Sequence, residues 1–222
     1  MTRPAGAQAP TSLPGVLADP RVRLCAGVAA LLATASAARR DRVDPREAGA
    51  FRAVNGLPDS WHLPAWAVMQ LGAFGAIPAS AAAAWLAGDG ELAGRLLAGG
   101  TGTWGLAKLV KQIVRRPRPV ALLSGTRRRG REAAGLGYLS GHAAVAVALG
   151  AAAVPRLDPV GRALALCAVP LVGLTRVYVG AHLPLDVAGG AALGLAVEAA
   201  VELVTSGDPR VTRPSWVPGA SG

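Results

Sequence analysis

The sequence predicts an all-α fold, a bundle of six transmembrane helices, and three observations support this prediction. Of the 222 residues, 52% are hydrophobic and 16% are charged, whereas a typical soluble domain has about 25% charged residues. The apolar residues gather in six runs, each near the roughly 20 residues that a helix needs to cross a bilayer. These runs lack the alternating pattern of a barrel strand, so they must cross the membrane as helices.

The predicted spans follow from the position and length of the apolar runs. The first and the fourth are short, with room to extend into the flanking polar residues. Pro64, Pro78 and Pro170 are expected to begin or kink helices, which membrane bundles tolerate. The six spans are residues 24–38, 63–87, 92–114, 138–154, 160–179 and 185–204.

One membrane domain is predicted, residues 24–204, with a tail on each side. Residues 1–23 are rich in Pro, Ala and Gly, and their first apolar run begins too late for a cleaved signal peptide, so we expect a flexible tail. Residues 205–222 contain three prolines and are expected to be disordered. Cys25 and Cys167 lie within apolar runs, where we expect core residues rather than a disulfide.

The formal net charge of +10 is distributed in a way that argues against nucleic acid as a partner. A basic protein often binds nucleic acid. Here the Lys and Arg residues cluster at residues 39–52 and 108–131, between apolar runs. An anionic membrane surface or a phosphate-bearing lipid fits this arrangement better.

Three clusters of polar residues stand at the ends of the predicted spans. The first closes the third span, the second opens the fourth, and the third lies between the fifth and the sixth. Because successive helices run in opposite directions, all three clusters are expected at one face of the membrane. They are Lys111-x6-Arg118-Pro119, Ser140-Gly141-His142 and Arg176-x5-His182-x3-Asp186.

The residue types of these clusters suit the binding of a phosphate group. Arg118 and Arg176 offer planar guanidinium groups that grip phosphate oxygens in pairs, and Lys111 supplies a compact charge. If Ser140 caps the fourth helix, its hydroxyl and the amides of Gly141 and the next residue face the anion. No cofactor and no metal are expected, because the fixed cations supply the charge that a metal ion supplies in other phosphoryl-transfer enzymes.

The two histidines supply the proton transfer and the nucleophile. His182 precedes Asp186 by four residues, so on a helix that begins near Ala181 the carboxylate would accept a ring N–H. The other ring nitrogen would then attack phosphorus. His142 would protonate the departing alkoxide and later act as the base for water.

These clusters resemble the type 2 phosphatidic acid phosphatase (PAP2) superfamily, over about residues 60–204. The resemblance implies a bacterial integral-membrane lipid phosphatase with His142 as acid, His182 as nucleophile and Asp186 as the orienting carboxylate. Two positions depart from the pattern: Leu139 replaces a usual proline, and Thr175 replaces a serine. The phosphate ligands that the resemblance implies are Lys111, Arg118, Ser140, Gly141 and Arg176.

Several functions remain open at the level of sequence. The expected reaction is hydrolysis of a lipid phosphomonoester or diphosphate, with a polyprenyl phosphate of cell-envelope synthesis as leading substrate. Phosphatidate, phosphatidylglycerol phosphate and prenylphosphoryl-phosphoribose phosphates are alternatives. Vanadate-dependent haloperoxidases resemble the same clusters but are soluble and larger. A non-catalytic membrane scaffold would have lost a catalytic histidine, and both are present.

The sequence also bears on location. The chain is expected to cross the cell membrane several times, with the active site at one face. The loops on that face carry more Lys and Arg than those opposite, which favours the cytoplasmic side. Glu198 and Glu202 lie one turn apart, and they either line a polar channel or simply face a helix interface or approach the far membrane surface. The sequence does not indicate an oligomeric state.

Overall fold

The computed structural model describes residues 19–40, 42–130 and 135–206, and every regular element within them is a helix. The prediction of an all-α fold is confirmed. Eight helices have eight or more residues, and one has four. In chain order they are α1 Pro20–Ala38, α2 Pro45–Asn55, α3 His62–Met69, α4 Ala76–Leu86, α5 Gly90–Val114, α6 Pro119–Leu122, α7 Gly141–Ala153, α8 Pro159–Tyr178 and α9 Pro184–Ser206.

Local sequence explains where several of these helices begin. α1, α2 and α8 each start with a proline, and the aspartate before it accepts a backbone N–H of the first turn. Proline suits this position because its missing N–H has no partner there and its φ is already helical. The aspartate side chain satisfies one of the free amides.

Within the described residues, three helices, α1, α8 and α9, are long and apolar enough to cross a membrane. A fourth span results if the residues from Asp59 to Leu86, bent by 67°, are counted as one. α5 has 25 residues but carries Glu91, Arg95, Lys108 and Lys111, and α7 has only 13 residues. The number of six spans therefore stays a prediction.

The second predicted span is broken into two helices. α3 ends at Met69, a 3-10 turn follows at Gln70–Gly72, and α4 begins at Ala76. Glycine and proline are poor residues for a helix interior, and this stretch contains Gly72, Gly75 and Pro78. The break packs on the start of α7, since a Cβ on Gly72 would lie 2.4 Å from the carbonyl oxygen of His142.

Two elements of the N-terminal region lie outside the predicted spans. α1 begins at Pro20, so it includes the last four residues of the predicted tail, and residues 1–18 lie outside the described part. α2 has no counterpart among the predicted spans; it is an 11-residue helix with Glu47 in its first turn. The predicted C-terminal tail lies outside the described residues from residue 207 onward.

Helix α9 is the centre of the bundle and packs against α1, α5 and α7. Glycines at Gly190 and Gly194 allow α7 to approach very closely: a Cβ there would lie 2.3 Å from Ser140 O and 2.2 Å from Ala144 O. Small residues four apart commonly allow such contact between membrane helices. The close approach brings Asp186 beside Ser140, whose N–H donates to the Asp186 carbonyl at 2.8 Å.

The outer surface of the bundle carries many large apolar side chains. Leu109, Ile113 and Leu164 are each at least 60% exposed, as helices that face lipid require. Cys25 and Cys167 are also exposed, so the expectation that they fill the core is wrong. Both lie on outward faces of long apolar helices.

A group of four charges joins α1, α5 and α9. Glu198 accepts from Arg23 at 2.7 Å and also from Arg95, and Glu202 binds the same two arginines. The side chain of Glu198 is only 2% exposed. Of the two alternatives for these glutamates, the structure shows a helix interface.

Candidate active site

A cavity of about 500 Å³ lies where the ends of α3, α7 and α8 meet the segment after α5. Its charged lining residues, among those described, are four arginines: Arg118, Arg128, Arg129 and Arg176. His142 lies on the same wall. A concave site lined by arginine without a described carboxylate is suited to an anion that carries more than one negative charge.

The second cluster forms the N-terminus of α7. Ser140 is the N-cap, fully buried, and its Oγ accepts the N–H of Ala143 at 3.4 Å. Gly141 and His142 are the first two helical residues, so their amides have no partner within the helix. A Cβ on Gly141 would meet nothing within 4 Å, so there is open space beside this backbone.

Arg118 is held at the cavity by backbone carbonyls. Its Nη1 donates to Ala181 O at 2.8 Å and its Nε donates to Gly135 O at 3.1 Å. Pro119 begins a short helix directly after it, which fixes the chain direction. Burial lowers the pKa of Arg118 from its usual value, but guanidinium remains charged at any physiological pH.

Arg176 stands in the last turn of α8 and faces the same cavity. Only 8% of the residue is exposed, one guanidinium nitrogen lies against the sulfur of Met69, and its Nε has no hydrogen-bond partner among the described residues. Its carbonyl oxygen accepts the N–H of Ala181 at 3.1 Å and that of His182 at 3.2 Å. Arg176 thus positions the backbone of the third cluster while its side chain has capacity for an anion.

His182 and Asp186 are close together, but not in the way that their spacing predicts. α9 begins at Pro184, so His182 precedes the helix and the two residues do not share a helical face. Their Nδ1 and Oδ2 atoms are 3.8 Å apart, longer than a hydrogen bond, and Nδ1 has no partner among the described residues. The expectation of a shared helical face is wrong, because Pro184 starts the helix and Asp186 Oδ2 accepts the N–H of Leu183 at 2.8 Å.

The ring of His182 is neutral at physiological pH. Burial lowers the pKa of His182 to about 4, although the nearby carboxylate of Asp186 acts in the opposite direction. The nucleophilic form of imidazole is the neutral one. The environment of this residue therefore suits a nucleophile.

Lys111 lies beside the segment that leads into Ser140. Like Ser140, Gly141 and His182, it is not among the residues that line the cavity. Its ammonium donates to the carbonyls of Leu136 and Gly137 at 3.3 Å each, and also to that of Leu139. It therefore holds the segment that leads into Ser140 and places a positive charge behind this segment.

The two departures from the family pattern remove no group from the cavity. Leu139 is completely buried in an apolar cluster with Tyr138 and Leu193. The hydroxyl of Thr175 donates to the carbonyl of Val172 in its own helix at 2.7 Å. Both side chains serve packing and local structure.

The structure adds residues that the spacing of the clusters does not indicate. Arg116 is buried and binds Asp186 at 2.9 Å, and it also binds Glu47 from α2. His62 and Gln70 line the cavity opposite the motif residues. The Arg-Pro-Arg-Pro sequence at 116–119 is a signal for Arg116, but Glu47 lies 69 residues away and has no local signal.

Arg129 lines the cavity but is fixed by the protein itself. Its guanidinium donates to Asp59 at 2.7 Å and to the carbonyls of Asn55, Tyr178 and Leu57. It also lies over the ring of Tyr178, 4.2 Å from the centroid. These contacts tie the loop after α6 to the end of α8 and so shape the outer wall of the cavity.

A bundle of apolar helices with an arginine-lined cavity and a histidine at a helix N-terminus defines a membrane enzyme that acts on phosphate groups. Comparisons with known proteins agree. The PAP2 superfamily matches residues 93–207, which is 115 of the 222 residues. A comparison with the curated proteins gives no match.

The fold is similar to a crystal structure of a transmembrane PAP2-type phosphatidylglycerolphosphate phosphatase from Bacillus subtilis. The TM-score is 0.62 at 24% sequence identity, over 82% of this chain and 96% of that chain. The chain belongs to the PAP2 superfamily and is a membrane phosphatase. The transmembrane fold and the exposed apolar helices favour this class over the soluble haloperoxidases.

Proposed function

We propose that this protein hydrolyses a phosphomonoester or diphosphate of a lipid through a phosphohistidine on His182. The observation that carries the proposal is the arginine-lined cavity, with His142 on its wall and the His182 backbone hydrogen-bonded to Arg176. Arg118, Arg176 and the α7 N-terminus with Ser140 and Gly141 bind the phosphoryl oxygens. Lys111 adds positive charge from behind the segment that precedes Ser140.

In the first step the neutral ring of His182 attacks phosphorus. Nδ1 faces Asp186, so the attacking atom is Nε2, and the carboxylate stabilises the positive charge that forms on the ring. The bond between phosphorus and the lipid oxygen breaks, and His142 gives a proton to the departing oxygen. The products of this step are the free lipid and a phosphorylated enzyme.

In the second step water removes the phosphoryl group from His182. His142, now neutral, takes a proton from the water, whose oxygen attacks phosphorus while the P–N bond breaks. The arginines and the helix amides stabilise the charge on the equatorial oxygens in both steps. Inorganic phosphate leaves, and His182 returns to its neutral form.

The reaction is proposed to proceed without a metal ion, because fixed cations supply the positive charge. Activity is therefore expected to be unchanged, within about twofold, after treatment with EDTA and passage over a chelating resin. The measurement is phosphate release before and after treatment, with and without added Mg²⁺. Loss of activity that Mg²⁺ restores would show that the cations of this chain do not suffice.

The leading substrate is a polyprenyl phosphate or diphosphate. An apolar cavity of about 390 Å³ lies between α4, α7 and α8, with Leu71, Ala146 and Val172 among its lining residues. Each of these three residues lies within four positions in sequence of a residue that lines the arginine-lined cavity, namely Gln70, His142 or Arg176. A lipid chain that enters laterally at the apolar cavity would therefore place its phosphate at the arginines. Phosphatidylglycerol phosphate is the second candidate, because the similar solved structure is that of a phosphatase named for it. Phosphatidate and prenylphosphoryl-phosphoribose phosphates are the remaining alternatives.

The proposal is tested by phosphate release from purified protein across a panel of lipid phosphates and diphosphates. We expect the highest kcat/KM on a polyprenyl substrate, no turnover by His182→Ala, and ³²P on the wild-type protein after an alkaline quench. Wild-type phosphate release by His182→Ala would contradict the mechanism. A preference for phosphatidylglycerol phosphate would keep the mechanism and change the substrate.

We further propose that the chain crosses the membrane several times and that its active site is cytoplasmic. The support for the cytoplasmic side is the cationic segment from Lys108 to Arg129 at the site end of α5, against few cations at the opposite end.

A further inference from the structure

The carboxylate of Asp186 is held by contacts on both of its oxygens. Oδ2 accepts the N–H of Leu183 at 2.8 Å, and Oδ1 accepts Nη1 of Arg116 at 2.9 Å. Asp186 is fully buried and Arg116 is 5% exposed. The carboxylate therefore has one orientation, with Oδ2 toward the ring of His182 at 3.8 Å.

Arg116 is itself held by a second carboxylate from the N-terminal region. Its Nη1 and Nη2 donate to the two oxygens of Glu47 at 3.0 and 2.6 Å, which is a bidentate pair. Oε1 of Glu47 also accepts the N–H of Leu185 at 3.0 Å. Glu47 thus fixes both the guanidinium and the first turn of the helix that carries Asp186.

The charges of this group matter for the reaction. One guanidinium is shared by two carboxylates, so the three side chains together carry one negative charge. With Arg116 and Asp186 alone the net charge of the group would be zero. As His182 attacks phosphorus its ring becomes positive, and a net negative charge behind it stabilises that state more than a neutral pair does.

We propose that Arg116 and Glu47 are positioning residues for the reaction at His182. Arg116 fixes the orientation of Asp186. Glu47 balances the charge of Arg116, so the group as a whole keeps one negative charge. This inference rests on the proposed function, since it assigns a role in the formation of the phosphohistidine. Neither residue touches the phosphate. Both act through Asp186.

The test measures phosphoenzyme formation in single turnover for Arg116→Lys and Glu47→Gln. Lys cannot bind two carboxylates in the same geometry, and Gln keeps an acceptor for Leu185 but removes the charge. Since a misplacement of about 1 Å can cost about 100-fold in rate, we expect the rate of phosphorylation to fall about 10- to 100-fold in both variants. KM is expected to change by less than about threefold, because the phosphate ligands are intact.

A double-variant cycle distinguishes positioning from general stabilisation. Once Asp186→Asn has removed the carboxylate charge, Arg116→Lys should slow phosphorylation by much less than it does alone, because nothing remains to be oriented. If Arg116→Lys slows phosphorylation by the same factor with and without Asp186→Asn, the proposal is wrong.

Matched controls come from the other buried ion cluster, at the opposite end of α5. Arg95→Lys and Glu198→Gln make the same chemical changes in a cluster that joins α1, α5 and α9. We expect these controls to lower the midpoint of thermal unfolding and leave the phosphorylation rate of the folded protein within about twofold. If Glu47→Gln, the milder change, loses only stability as the controls do, the proposal is wrong.

Failure of this inference is distinguishable from failure of the proposed function. If only this inference fails, the wild-type protein forms a phosphoenzyme and His182→Ala does not. Arg116→Lys and Glu47→Gln then form the phosphoenzyme at the wild-type rate. If the proposed function fails, the wild-type protein forms none. Tryptophan fluorescence during thermal unfolding in detergent reports whether each variant is folded, and the rates are expressed per folded molecule.

Discussion

At the scale of single residues, the two histidines occupy different environments. His142 lies on the wall of the cavity at the start of α7, and His182 is 3% exposed behind it, beside Asp186. A group on the wall is placed to exchange protons with substrate and water. A buried neutral ring near a carboxylate is placed to attack. These environments lead to separate expectations for the two residues.

The role of His142 as acid can be tested with a substrate whose leaving group needs no proton. With an aryl phosphate, His142→Ala is expected to release one equivalent of phenol per site in a burst and then to turn over at least about 100-fold more slowly than wild type, because water lacks its base. Rapid-quench measurement of phenol and phosphate checks this. A linear release without a burst, or a burst in His182→Ala, would contradict the assignment.

The titration of His182 can be observed directly, since the chain has only three histidines. In the His62→Ala/His142→Ala variant, ¹³C-labelled histidine gives a single ring signal. Because burial lowers the pKa of His182 to about 4, protonation sets in only as the pH falls toward that value. The signal should therefore stay that of the neutral ring from pH 8 to pH 5, whereas the unfolded chain should titrate near the usual pKa of about 6.5. A folded-state midpoint at or above pH 6.5 would refute a buried neutral nucleophile.

The spacing of polar residues could predict the motif positions but not the group that holds Asp186. Residue type and spacing place Arg118, His142, Arg176 and His182 near one another, because helix direction alternates from span to span. Arg116 stands in a basic run that is also typical of a topology signal. Its partner Glu47 comes from a helix far away in the chain, and no pattern in a single sequence specifies such a pairing.

At the scale of helices, the contact between α7 and α9 sets the geometry of the site. The glycines at positions 190 and 194 allow the two backbones to touch, and this brings the N-cap serine of α7 to the first turn of α9. The site is therefore sensitive to the distance between these helices.

Gly190→Ala is expected to disturb both stability and activity. The new Cβ would lie 2.3 Å from Ser140 O, so the helices must separate, at a cost of about 1–3 kcal/mol. kcat should fall because Ser140 and Asp186 move apart. Thermal unfolding in detergent and single-turnover rates are the measurements.

The matched control for this change is Gly105→Ala in α5, where a Cβ meets nothing within 4 Å. It is expected to leave the rate unchanged and to stabilise the protein by about 0.4–1 kcal/mol, because alanine restricts the unfolded chain. If both substitutions behave alike, close packing of α7 on α9 does not control the site.

Hydropathy could predict most helices but not their interruptions. The first, third, fifth and sixth runs become helices within a few residues of the predicted bounds, because long apolar stretches leave little choice. The second run breaks around Ala73–Gly75, where glycines and a proline weaken the helix and its packing on α7 decides the bend. α2 contains two arginines and one glutamate among its first eight residues, so an apolar criterion does not detect it.

At the scale of the whole molecule, α5 separates two faces. With 25 residues it is about 37 Å long at about 1.5 Å per residue. The loop that contains Ala87 precedes it, and the loop that contains Ser124 follows it on the side of the cavity. Labelling at these two positions can therefore report the orientation of the active site.

Cysteine labelling should place Ser124→Cys inside the cell and Ala87→Cys outside. The background must carry Cys25→Ala and Cys167→Ala, since both native cysteines are exposed. With a membrane-impermeant maleimide on intact cells, we expect Ala87→Cys to react at once and Ser124→Cys only after permeabilisation. The reverse pattern would place the active site on the outer face.

Glu47 and Arg116 bind each other, but only Arg116 lies within the segment that matches the family model. Residues 93–207 contain every motif residue, yet the carboxylate that balances Arg116 comes from α2, and Tyr138 beside the second cluster bonds Thr34 of α1 at 2.9 Å. The contacts that hold Asp186 and the second cluster therefore extend beyond the segment by which the family is recognised. Grafting the three motifs onto another helical scaffold would transfer the phosphate ligands without the glutamate that binds Arg116.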